Sequence, residues 1–73
     1  MDDNIFLKKL GIKLKLLRSL KGLSQDDIAN GLEIDKSYYS KVERGLTNAT
    51  ITYLKRLAEF FGVDIIELFN FNF

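Results

Sequence analysis

Across residues 4–21, apolar residues recur at steps of three and four, at Leu7, Leu10, Leu14, Leu17 and Leu20, with lysines filling the positions between. That period predicts an amphipathic helix ended by Gly22. A shorter helix is expected from Gln25 to about Gly31, with Ile28 and Ala29 inward. Ser24 is its N-cap, and Asp27 stands where a capping box places its acid. Asp35 can cap a third helix running through Arg44, with Tyr39 and Val42 three apart on one face and Gly45 as its stop. Thr50 opens a fourth helix to Phe61, with Leu54, Leu57, Ala58 and Phe61 inward and Gly62 behind it. Asp64 caps a last helix, "IIELF", before the tail "NFNF". The pattern therefore predicts an all-α, compact five-helix domain with short connections, residues 1–73 forming a single unit.

At 73 residues the chain has room for one modest core. Hydrophobic residues at 47% and charged residues at 29% are globular values, which sets wholesale disorder aside. Cysteine and histidine are both absent. Disulfides, thiol chemistry, imidazole catalysis and Cys/His zinc sites are thereby excluded. No carboxylate loop has ligand-like spacing, so no metal or other cofactor is expected. Nor is there a nucleophile–base pair or a phosphate loop, so the chain does not read as an enzyme. No apolar run approaches the roughly 18 residues of a membrane span, and a soluble, cytoplasmic protein with no membrane partner is expected.

The net charge is only +1, but its distribution is polarised. Residues 1–24 carry Lys8, Lys9, Lys13, Lys15, Arg18 and Lys21 against Asp2 and Asp3. Residues 57–73 carry Glu59, Asp64 and Glu67 and no cation. The molecule should have a basic side and an acidic end, a distribution that matters more for a polyanionic partner than the sum does.

Between these ends lie two short helices and a tight turn. Helices that cross steeply need a small side chain at their closest approach, and Ala29 supplies it. The outer face of the third helix keeps Lys36, Ser37, Tyr38, Ser40 and Lys41, all polar or hydrogen-bonding. A helix of that size with a polar face fits a major groove about 12 Å wide.

The stretches "LSQDDIA", "DKSYYSKVERG" and "TITYLKRLAEFFGVDIIELF" together resemble the Cro/cI-type, Xre-like helix-turn-helix regulators, over roughly residues 10–69. The resemblance implies a lambda-repressor-like fold with its helix-turn-helix at about residues 25–44. "YYSKVERGLTNATI" is further similar to the restriction-modification controller subfamily. Two positions depart from the family pattern: Glu33 stands where the turn usually has a left-handed glycine, and Ala49 where proline is common.

Carried onto this chain, the resemblance implies base reading by Lys36, Ser37 and Lys41, with Tyr38 on a thymine methyl or a phosphate. It implies phosphate contacts from Gln25, Arg44, Thr47 and Asn48. Tyr39 is read as core, and Arg18 and Glu43 as an ion pair tying the first helix to the third. The function implied is a DNA-binding transcriptional regulator, a homodimer on a palindromic double-stranded operator, with no small-molecule ligand. The dimer surface is expected at the apolar C-terminal end, through Ile65, Leu68, Phe69 and Phe71. Ile65 and Leu68 can also be buried in the monomer, but Phe69, Phe71 and Phe73 are too many for so small a core. The rival reading is a helical protein–protein interaction module that keeps the fold without DNA affinity.

Overall fold

A computed structural model describes residues 1–73. Four α-helices follow in order: α1 (Asp3–Leu20), α2 (Gln25–Leu32), α3 (Lys36–Glu43) and α4 (Ile51–Phe61), then a 3₁₀ turn, Ile65–Phe69. Each start is set by a side chain that accepts a first-turn N–H: Asp2 from Ile5, Ser24 from Asp27, Asp35 from Tyr38, Thr50 from Tyr53 and Asp64 from Ile66. At Ser24 the bond is reciprocal, since Asp27 also accepts the Ser24 N–H, completing the capping box. No helix is long and apolar enough to cross a membrane.

The core draws on every element: Leu10 and Leu14 from α1, Ile28 from α2, Tyr39 and Val42 from α3, Leu54, Leu57, Ala58 and Phe61 from α4, and Leu68 from the 3₁₀ turn. Sequence periodicity placed most of these. It also placed Leu20 inward, and there the structure differs, because Leu20 is 74% exposed at the last residue of α1, beyond the end of the packed layer.

α1 and α3 approach each other closely at Gly11. A Cβ at Gly11 would overlap the Glu43 carbonyl, so only glycine lets the two backbones meet. Gly45, at φ +71°, then turns the chain beside α1, and a Cβ there would stand 2.8 Å from the Lys8 Cα. Glu33 ends α2 in the left-handed conformation, φ 54° and ψ 46°. The turn keeps its family shape without the glycine, at a strain of about 1 kcal/mol.

The fifth α-helix expected at Ile65–Phe69 is instead a single 3₁₀ turn. Five residues cannot repay the nucleation of an α-helix. A three-residue period also stacks Ile65 over Leu68, which sends half-buried Ile65 and fully buried Leu68 toward the same core edge.

Candidate nucleic-acid interface

The face of α3 opposite Tyr39 and Val42 is cationic and open. Lys36, Ser37 and Lys41 are exposed, and with Gln25, Ser40 and Arg44 they line a shallow concavity. Gln25, Ser40 and Arg44 also border a second hollow, completed by Lys8, Ile12, Lys15, Arg18 and Glu43, so the two run together from α3 across to α1. The only carboxylate in this combined lining is Glu43. It is buried, 8% exposed, and neutralised from behind. Lys8, Lys15, Lys41 and Arg44 are left to set the sign of the surface, Lys36 being paired with Asp26.

That neutralisation is also what fixes α3. Arg18 Nε donates to Glu43 Oε2 at 2.7 Å and Arg18 Nη2 to Oε1 at 3.1 Å, a two-pronged pair. Arg18 Nη1 donates to the Leu23 carbonyl at 2.8 Å, and Gln25 Nε2 to Glu43 Oε1 at 3.0 Å. The Arg18–Glu43 pair therefore ties α1, the α1–α2 turn, α2 and α3 together. Burial pushes the Glu43 carboxyl upward, but hydrogen bonding to Arg18 and Gln25 outweighs it and leaves the group below its ordinary 4.5. Hydrogen bonding to Glu43 raises the Arg18 guanidinium above its ordinary value. The Tyr39 hydroxyl lies beside this pair, is fully buried, and is held far above its ordinary 10 by burial, with Glu43 adding to the shift.

The other implied contacts are placed less uniformly. Tyr38 does not line the concavity: its ring packs edge-on against Tyr53, centroids 5.3 Å apart, joining α3 to α4. Gln25 is half-buried and already gives one amide N–H to Glu43, so a phosphate at the start of α2 would rely more on backbone N–H groups than on this side chain. Arg44 is exposed and reaches back only to the Ser40 carbonyl, at 3.4 Å. Thr47 and Asn48 follow Gly45, and Asn48 lines a separate hollow with Asp3, Phe6 and Leu7. Lys36 is engaged across the turn, its Nζ 3.0 Å from Asp26 Oδ1. Sequence reasoning did not single out Lys8 and Lys15. The lysine bias of residues 1–24 was the signal, but periodicity alone did not say which of those lysines face α3.

At the C-terminal end the expected dimer surface needs correction. Leu68 is completely buried in its own chain's core and cannot meet a partner. Ile65, Phe69 and Phe71 are half-buried. The Phe6 ring stacks on Phe69 at 6.1 Å and takes the edge of Phe71 at 5.5 Å, so α1 absorbs two of the rings judged surplus to the core. What stays exposed there is Ile66 at 73% and Phe73 at 50%.

Two short helices joined by a tight turn, a cationic outer face and a buried carboxylate behind it define a helix-turn-helix domain, and the family model Helix-turn-helix matches residues 14–68. The chain belongs to this Xre-like helix-turn-helix family. It is 36% identical to the control protein C.MunI of Mycoplasma sp over 63 residues, covering 85% of each chain. It is likewise 36% identical, over 56 residues, to the cryptic phage CTXphi transcriptional repressor RstR of Vibrio cholerae, of whose length it spans 50%. Among solved structures it resembles the restriction-modification controller protein C.AhdI from Aeromonas hydrophila. There the TM-score is 0.82 and the identity 40%, over 86% of this chain and 96% of that one.

Proposed function

We propose that the chain is a transcriptional regulator that carries α3 into the major groove of duplex DNA, as a homodimer on a palindromic operator, in the manner of the restriction-modification controllers it resembles. The observation that carries this reading is the continuous cationic lining from Lys36 and Lys41 through Arg44 to Lys15 and Lys8, whose one carboxylate is already bonded. Lys36, Ser37 and Lys41 read base edges, lysine donating to guanine O6 and N7. Arg44, Lys8, Lys15 and the α2 N-terminus hold one phosphate strand, and Thr47 and Asn48 meet the strand across the groove. Tyr38 serves chiefly as packing against Tyr53.

An eight-residue α3 is about 12 Å long and spans only a few base pairs. Useful specificity therefore calls for two half-sites about 34 Å apart, and for a dimer surface remote from α3. The C-terminal end fits: Phe69 and Phe71 lie over Phe6, with Ile66 and Phe73 exposed beside them.

The test is selection of duplexes from a randomised pool, followed by affinity measurements on Lys36→Ala and Lys41→Ala. Each should lose about 1–3 kcal/mol on the selected duplex and relax preference at one base pair. Unchanged affinity and preference in both would move the groove face elsewhere. Deleting residues 70–73 should weaken self-association in sedimentation, and operator binding with it, at nearly constant helical content. A dimer as tight as the full chain's would place the interface elsewhere.

A further inference from the structure

Asp26 is a first-turn acid of α2, where its charge favours the helix dipole, but it takes no part in the cap. The cap is Ser24, and the acid that completes the capping box is Asp27. Asp26 makes one specific contact, Oδ1 to Lys36 Nζ at 3.0 Å, from α2 across the turn to the first residue of α3. Both side chains are more than half exposed, 65% and 55%, and an exposed pair adds little to stability. Yet Asp26 directly follows Gln25 at the rim of the cationic concavity, where a bare carboxylate opposes a phosphate backbone. An acid in that place weakens every DNA complex equally unless it acts through Lys36.

We propose that Asp26 is a positioning residue for sequence discrimination: it neutralises Lys36 and holds its ammonium, so that Lys36 leaves the carboxylate for a matched base edge and not for any phosphate. This inference rests on the DNA-binding reading above. A free lysine on a flexible four-carbon stem binds whichever phosphate is nearest, and each phosphate so neutralised steepens the salt dependence of binding by about one. Phosphate contacts carry no sequence information, so that affinity is gained on wrong sites and right sites alike. A lysine already paired with Asp26 gains less from a phosphate, because one anionic partner only replaces another. A guanine edge offers two acceptors, O6 and N7, in one plane, and can draw the ammonium inward while the carboxylate stays within reach. The pair thus lowers affinity for every duplex, and lowers it most for those without the base.

The test compares the full chain with Asp26→Asn, Asp26→Glu, Lys36→Gln and Asp26→Asn/Lys36→Gln. Each is titrated with a duplex selected from a randomised pool and with a scrambled duplex, over a range of salt concentrations. Asp26→Asn should bind the scrambled duplex about fivefold more tightly, the scale of one charge pair at about 4 Å in water. Its salt dependence should steepen by about one, and its ratio of selected to scrambled affinity should fall. Asp26→Glu should restore the ratio, and in the Lys36→Gln background the effect of Asp26→Asn on the ratio should vanish. An equal gain on both duplexes, or a gain that persists without Lys36, overturns the inference and makes Asp26 a general repellent. A parent chain that prefers no selected duplex overturns the DNA-binding reading itself, and this inference with it.

Discussion

α1 is joined to the rest of the molecule twice, and the two joins are built on different principles. Toward α3, backbone meets backbone at Gly11 and Glu43, and the flanking ion pair, Arg18–Glu43, is shielded on both sides, with side-chain exposures of 13% and 3%. Toward the C-terminal end, contact runs through side chains alone: Phe6 against Phe69 and Phe71, and Lys13 Nζ to Glu67 Oε1 at 2.9 Å. There Lys13 is buried at 6% exposure while Glu67 is open at 41%. The first join leaves no freedom for α3 to tilt. The second is a layer of rings and one half-wet pair that can be reshaped by a partner. A surface that reads a fixed lattice of base edges needs the first kind, and one that meets another protein chain tolerates the second.

The contrast predicts unequal losses. Glu43→Gln should have the largest effect, since it strands the mostly buried Arg18; loss of one partner from such a pair costs about 3–5 kcal/mol, read as a fall in unfolding midpoint. The same pair fixes a pH dependence. The Glu43 carboxyl is depressed in the folded chain, so its contribution is complete above the ordinary 4.5 and is lost as pH falls through the lower folded value. The parent chain should therefore lose stability below about pH 4.5 through this group, and Glu43→Gln should show a shallower acid limb. If the two acid limbs were parallel, the pair would be superficial.

Gly11→Ala comes next. One methyl must be accommodated where α1 touches the Glu43 carbonyl, and overpacking of this kind costs about 1–3 kcal/mol, against about 1 kcal/mol regained in helix propensity. Thermal unfolding decides it, and a stabilised variant would mean that the two helices can separate without loss. Glu67→Gln should be milder than Glu43→Gln, because Glu67 is open to water. Hydrogen bonding to Lys13 holds the Glu67 carboxyl below its ordinary 4.5, so its share too fades as pH falls. A larger midpoint loss for Glu67→Gln than for Glu43→Gln would reverse the ranking of the two joins.

Helix starts were legible because each is written locally: Ser24, Asp35, Thr50 and Asp64 precede apolar periods, and every one of them caps. The last element was misread because a five-residue apolar run does not distinguish a period of 3.0 from 3.6. Gly11 was passed over because glycine inside a helical pattern reads as a weak point, and its role is visible only once α3 lies against it. Lys13 was counted with the lysines of the basic side, although Glu67, its partner 54 residues on, draws it inside. Arg18 and Glu43 are 25 residues apart, and no local period links them; the family pattern brought them together. The outer face of α3 could be read from polarity alone. That Asp26 engages Lys36 could not, because the relation crosses a turn whose shape depends on Glu33 being left-handed.

The carboxylate of Glu43 is a common anchor for three helices, and this separates the bearing of α3 from the side chains on its outer face. Because α1, α2 and α3 are referred to one buried point, α3 has a fixed bearing that its exposed side chains do not influence. On the DNA-binding reading, a new operator is then reached by exchanging residues 36, 37 and 41 while the bearing is inherited unchanged. Preference and scaffold are separable, and substitutions in one leave the melting behaviour of the other alone.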